Sequence, residues 1–156
     1  MKKIISLLIL VPILLSSFII DDKTCLEVKG FLLDAKDKKL DKVNVSLMEN
    51  GKEIKNMEAK IPFKLELPRD HYYSLVVTKE GYLPAVIMVD TNVPKTHDEC
   101  GFHFEFHYNM VPENNTYNKE FIDFPAALVK YTKSGDEFVI SEKYNTHIKG
   151  LIGANK

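Results

Sequence analysis

The stretch VNVSLMENGKEIKNMEAKIPFKLEL, residues 43–67, decides the fold of this chain. Hydrophobic and polar residues alternate from Val43 to Leu47 and again from Ile61 to Leu67, which is the pattern of strands with one buried face. Asn50-Gly51 follows the first run, and this dipeptide favours the type I′ turn of a β-hairpin. Because Pro62 has no N–H to donate, we expect it on an edge strand or at a strand start. The stretch therefore predicts consecutive antiparallel strands.

The same alternation continues on both sides of that stretch, in segments separated by turns. The further predicted strands are Leu26–Lys29, Tyr73–Val77, Val86–Val89, Phe102–Tyr108 and Ala126–Tyr131. Short strands spaced by turns roughly every 8 to 12 residues, with no helix between them, favour an all-β sandwich of two antiparallel sheets with an added C-terminal strand. Behind Ser141, which suits an N-cap, Tyr144, Ile148, Leu151 and Ile152 stand at helical spacing and predict a short terminal helix.

Length and composition exclude several classes of protein. The chain has 156 residues, 45% of them hydrophobic, which fits one folded domain and excludes a disordered tail. Its 21 Lys+Arg balance 22 Asp+Glu. Arg69 is the only arginine, so the chain lacks the basic surface and the bidentate groups of a nucleic-acid-binding protein.

Residues 1–20 have the layout of a secretory signal peptide. Lys2 and Lys3 precede an apolar run from Ile4 to Leu15, and serines follow, so we predict export to the periplasm with cleavage near Ser17. The alternative is an uncleaved inner-membrane anchor through residues 4–20, because an apolar stretch of about 20 residues spans a bilayer.

The two cysteines fit an exported protein. Its compartment is oxidising, and an even number of cysteines makes a disulfide between Cys25 and Cys100 the default expectation. Two separately buried thiols are the alternative. Such a disulfide would close a loop of about 75 residues, worth roughly 4–5 kcal/mol in the chain-entropy model.

Two groups of residues have ligand chemistry that suits a metal. His97, Cys100 and His103 have an H-x₂-C-x₂-H spacing that could surround zinc, but they supply only three local ligands. His103, Glu105 and His107 should share the outer face of one strand, opposite Phe102, Phe104, Phe106 and Tyr108. Because residues i and i+4 of a strand lie roughly 13 Å apart, one ion would need a ligand from a neighbouring strand. The alternatives are a disulfide and an ordinary solvated face, so we expect no cofactor.

Catalytic motifs are absent from the sequence. It contains no G-x-S-x-G, no H-E-x-x-H and no glycine-rich phosphate loop, so we expect a protein that is not an enzyme. Tyrosines are the better candidates for binding, since each offers a large contact area with one polar end. Tyr73 is expected in the core and Tyr82 at a packing corner after Gly81, whereas the outward-facing members come from the set Tyr72, Tyr108, Tyr117 and Tyr144.

Several of these segments together resemble a known family. Val28-Lys29-Gly30-Phe31, Val43–Leu47, Phe63–Leu67 and Tyr72–Tyr82 are similar to the strands of the carboxypeptidase regulatory-like, transthyretin-like domain, over Leu26 to about Thr91. The tail has a V-D-T-N-V-P segment at Val89–Pro94, an aromatic strand, an F-P-x-A-L-V-x-Y strand and a final helix with a tyrosine, and in these it resembles a type of bacterial envelope protein. One departure is that Asn56–Lys60 contains no glycine, so we expect an irregular turn there. The resemblance implies a transthyretin-like or immunoglobulin-like sandwich and no catalytic residue.

The domain organisation and function follow from these predictions. Residues 1–20 are the signal peptide, 24–95 the carboxypeptidase regulatory-like sandwich, and 96–156 a C-terminal extension that packs on it. We expect a non-enzymatic exported module, an interaction or accessory protein of the envelope that presents a sheet edge or loop end to another protein or a glycan. The alternative is a periplasmic protein that binds a small ligand or divalent metal through the loop from His97 to His103.

Overall fold

The computed structural model describes residues 23–96, 100–113 and 124–153, with residues 148–153 described by their backbone alone. The predicted signal peptide, His97 and Tyr117 lie outside the described residues. The described elements are β1 (Thr24–Leu33), β2 (Lys42–Glu49), β3 (Lys52–Lys60), β4 (Phe63–Pro68), β5 (Tyr72–Thr78), β6 (Ala85–Asp90), β7 (Phe102–Asn109), β8 (Ala127–Thr132), β9 (Glu137–Ile140) and α1 (Glu142–Gly153).

The strands form two sheets, which confirms the predicted all-β sandwich. One sheet has three strands in the order β4-β1-β7, and the other has six in the order β3-β2-β5-β6-β8-β9. Neighbouring strands run antiparallel, as predicted, except for two parallel pairs, β1 with β7 and β6 with β8. Both exceptions join strands that are distant in sequence. A tight hairpin forces an antiparallel neighbour, whereas a long connection permits either direction.

The core lies between the two sheets and follows the alternation of the sequence. In β4, Phe63, Leu65 and Leu67 are buried, whereas Lys64 and Glu66 between them are exposed. The same period places Tyr73, Leu75 and Val77 of β5 and Ala85, Ile87 and Val89 of β6 in the core. Each valine, leucine, isoleucine or phenylalanine side chain that is fully buried in this way stabilises the fold by about 1.5–3 kcal/mol.

The hairpin turn before β3 and the position of Pro62 agree with the sequence analysis. Asn50 and Gly51 have φ angles of 49° and 77°, the positive values that a type I′ turn requires at both positions. Pro62 directly precedes β4, which is an edge strand of its sheet, and the Ile61–Pro62 peptide bond is cis. The irregular turn expected at Asn56–Lys60 is wrong: this segment pairs with β2 as the second half of β3, and the chain turns only at Ile61-Pro62.

The C-terminal part contains one strand that the sequence analysis missed. After β8 the chain turns at Gly135-Asp136, where Asp136 has a φ of 51°, and returns as β9 with Phe138 in the core. The predicted helix α1 follows, and the Tyr144 N–H donates to Ser141 Oγ at 3.4 Å, as expected for an N-cap. In the described part of the chain, no helix is both long and apolar enough to cross a bilayer.

Candidate functional site

A disulfide joins Cys25 to Cys100, which confirms the predicted pairing. Cys25 is fully buried in β1, Cys100 stands just before β7, and their Cα atoms lie 4.3 Å apart. The adjacent Gly101 N–H donates to the Cys25 carbonyl at 3.1 Å. From there the two strands pair in register, from Leu26 opposite Phe102 onwards, without a shift. The disulfide therefore covalently fixes the end of the parallel β1–β7 pair.

Of the three predicted metal ligands His97, Cys100 and His103, only Cys100 and His103 lie within the described residues. Cys100 is in the disulfide, and a metal binds the thiolate form of cysteine, which a disulfide does not offer. His103 lies on β7, with its Nδ1 3.4 Å from Glu27 Oε1. Among the described residues, no three His, Cys, Asp or Glu side chains are grouped so as to hold a metal. With His97 outside the described residues, this metal site remains a prediction.

The outer face of β7 is an exposed polar surface, with His103, Glu105 and His107 on the same side as predicted. Each of them meets a side chain of β1, because the parallel register places residues 27, 29 and 31 opposite residues 103, 105 and 107. Lys29 Nζ lies 2.6 Å from Glu105 Oε1, and the Phe31 and His107 rings stack with centroids 4.5 Å apart.

Charge on this face extends to β4. Lys64 Nζ lies 3.0 Å from Glu27 Oε1. The hydrogen bond from Lys64 is the main cause that lowers the pKa of the Glu27 carboxyl below its ordinary value, with a smaller contribution from His103. We interpret His103, Glu105 and His107 as an ordinary mixed polar face, and their pairs with side chains of the neighbouring strand agree with that interpretation.

Of the four sheet edges formed by the described strands, three carry features that prevent pairing with another chain. β3 has a register shift against β2, and five of its nine residues are charged: Lys52, Glu53, Lys55, Glu58 and Lys60. β4 has six residues, follows Pro62 and ends at Pro68. β9 has only four residues. Charges, bulges, prolines and shortness are the means by which proteins keep sheet edges from associating.

The fourth edge, β7, has no proline and no bulge, and it carries fewer charges than β3. It is eight residues long, contains no proline, and pairs with β1 without a register shift. Glu105 is its only acidic or basic residue apart from the two histidines. Within the described residues it forms a ladder with β1 alone, so one side of its backbone faces away from the sheet. We call this side the β7 edge.

A groove of about 510 Å³ opens at one end of the six-stranded sheet. It lies where β2 begins and β5 ends, beside the turn at Gly81, and we call it the end groove. Its lining residues are Lys42, Val43, Asn44, Glu58, Thr78, Lys79, Glu80, Tyr82, Pro84 and Glu113. Its volume lies within the range of small-molecule sites.

Two lysines of the end groove are held in place. Lys42 Nζ lies 2.6 Å from Glu58 Oε1, and Lys79 Nζ donates to the Lys42 carbonyl at 2.8 Å. Both side chains are charged at neutral pH. Their shared hydrogen bond favours these charged forms, because it raises the pKa of Lys42 and lowers the pKa of Glu58.

The tyrosines divide between surface and core. Tyr72 is 58% exposed, whereas Tyr73 is buried as predicted. Tyr82 packs against the core beside Gly81, as expected for a packing corner. Tyr108 is half-buried, and so is Tyr144, whose hydroxyl donates to the Pro125 carbonyl at 2.6 Å. Burial raises the pKa of Tyr144.

Sequence reasoning identified neither the β7 edge nor the end groove. The scarcity of charge in Phe102–Asn109, beside the many charges of Lys52–Lys60, is a signal that points to the edge. The groove has no local signal, because its lining comes from four segments that are separated in the sequence. No protein-family model matches the chain, and no curated protein is significantly similar to it.

Proposed function

We propose that this protein is an exported, non-enzymatic module of the bacterial envelope that binds an extended segment of another protein along the β7 edge. The observation that carries the proposal is the contrast between β7 and the other edges. β3, β4 and β9 have features that prevent pairing, whereas β7 is long, regular and nearly uncharged. The resemblance to carboxypeptidase regulatory-like domains supports an accessory role.

The chemistry of an edge strand defines the segment that it binds. Alternate N–H and C=O groups of β7 point away from the sheet and can pair with an added strand. Eight residues span roughly 26 Å, so the bound segment is about eight residues long. Every second residue of that segment would lie beside the half-buried Phe102 and Tyr108, and the others beside His103, Glu105 and His107. We therefore expect alternating apolar and polar residues in the partner.

Site-specific photo-crosslinking in the native host identifies the partner. A crosslinking amino acid at His103 or His107 should give the same discrete adduct, because both lie along β7. The matched control is Asn56, an exposed residue of the charged edge β3, which should give no such adduct.

Amide exchange of the purified complex then tests the mode of binding. The β7 amides should gain protection when the partner is added, whereas the β3 amides should not. The proposal is wrong if the β7 positions give no adduct, or if the captured protein protects another surface and leaves β7 unchanged.

Export is tested by the intact mass of the protein in fractions of its host. The expected species is periplasmic, lacks about the first 20 residues, and is two hydrogens lighter before reduction. A full-length mass in the membrane fraction would instead make residues 4–20 an anchor.

A further inference from the structure

We infer that the end groove is a second binding site, for a neutral saccharide. The groove is distinct from the β7 edge, and the inference does not depend on the proposed function. The groove belongs to the six-stranded sheet and the Gly81 turn, whereas β7 belongs to the other sheet.

Hydrogen bonds and an ion pair connect residues along both walls of the groove. The Lys42–Glu58 ion pair and the hydrogen bond from Lys79 to the Lys42 carbonyl hold one side. On the other side, the Glu113 N–H donates to the Gly81 carbonyl at 3.1 Å. A preformed site loses less entropy when a ligand binds than a mobile one.

Between these walls stand polar side chains that make no side-chain hydrogen bond to another described residue. Asn44 and Thr78 lie directly opposite each other on β2 and β5. Within the described residues, neither of them nor the Tyr82 hydroxyl makes a side-chain hydrogen bond, although each lines the groove. Amide and hydroxyl groups both donate and accept, as saccharide hydroxyls do. Val43 and Pro84 add apolar surface, which suits the C–H faces of a sugar ring.

The other ligand classes fit the groove less well. An anion such as phosphate needs free cations, but Lys42 is paired with Glu58 and Lys79 is engaged, and the carboxylates of Glu80 and Glu113 would repel it. An apolar molecule would remove these charged groups from water without compensation. A basic peptide could meet Glu80 and Glu113, but it would leave the amide and hydroxyl groups of the groove unmatched.

The test is an NMR titration of the ¹⁵N-labelled mature protein with maltotriose, cellotriose and triacetylchitotriose. At least one saccharide should shift the amide signals around Asn44 and Thr78 at concentrations up to about 10 mM. Asn44→Ala combined with Thr78→Ala should weaken that binding about tenfold or more. Ser46→Ala combined with Ser74→Ala is the matched control, because these residues lie on the same two strands outside the groove and should leave the affinity unchanged.

Circular dichroism of each variant separates lost contacts from lost folding. The inference is overturned if none of the three saccharides shifts the groove signals. It is also overturned if the control pair weakens binding as much as the groove pair, or if trilysine shifts these signals and the saccharides do not.

Discussion

Reduction of the Cys25–Cys100 disulfide should remove a large part of the stability of this sandwich. The two residues are 75 positions apart in the chain. A cross-link over that distance lowers the entropy of the unfolded chain by about 15 cal/mol/K, which corresponds to about 4.5 kcal/mol at 25 °C. A domain of this size has a free energy of unfolding of about 5–15 kcal/mol. We therefore expect the reduced protein to be marginally stable.

Urea unfolding followed by circular dichroism measures this effect. Wild-type protein with an intact disulfide is compared with the same protein kept reduced, which retains both sulfur atoms. Cys25→Ala combined with Cys100→Ala should lose slightly more stability than reduction does, because Cys25 is fully buried and its side chain also packs in the core. Free energies of unfolding that agree within about 1 kcal/mol for the oxidised and reduced proteins would refute the reasoning.

Three further substitutions test the packing, the charged face and the helix cap. Gly30→Ala should cost about 2 kcal/mol or more in urea unfolding, because its Cβ would stand 2.5 Å from Phe63 Cε1 and 2.9 Å from Phe106 Cζ; an unchanged midpoint would contradict this packing. Because the folded-state pKa of Glu27 is lowered, its ionised form adds stability at neutral pH that is lost as the pH falls through that pKa. Glu27→Gln should thus be less stable than wild type at neutral pH, and the difference should shrink as the pH falls below the ordinary glutamate pKa and vanish only below the lowered folded-state pKa; a pH-independent difference would argue against the Lys64 pair. Ser141→Ala should cost about 1 kcal/mol in thermal unfolding, and no loss would show that Ser141 does not cap α1.

The faces of the strands could be predicted from the sequence because side-chain direction depends on the local period. Phe63, Leu65 and Leu67 alternate with charged residues, and this alternation alone assigns them to the core. Asn50-Gly51 likewise specifies its own turn, since its positive φ angles are a local property.

The neighbours of the later strands could not be predicted in this way. The alternation of Phe102–Asn109 shows which side chains are inside, but the parallel pairing with β1 depends on contacts with residues about 76 positions away. The short strand β9 was missed because four residues give too little alternation to recognise. The end groove escaped prediction because Asn44 and Thr78 become neighbours only when β2 pairs with β5.

Hydrogen exchange of the free mature protein tests most directly whether the β7 edge is open for binding. In β1 from Leu26 to Gly30, which pairs with β4 on one side and with β7 on the other, successive amides should all be protected. In β7, protection should alternate along Phe102–Asn109, because every second N–H points away from β1 and exchanges rapidly. Uniform protection along β7, equal to that of β1, would mean that another part of the chain covers this edge, and it would contradict binding by strand addition.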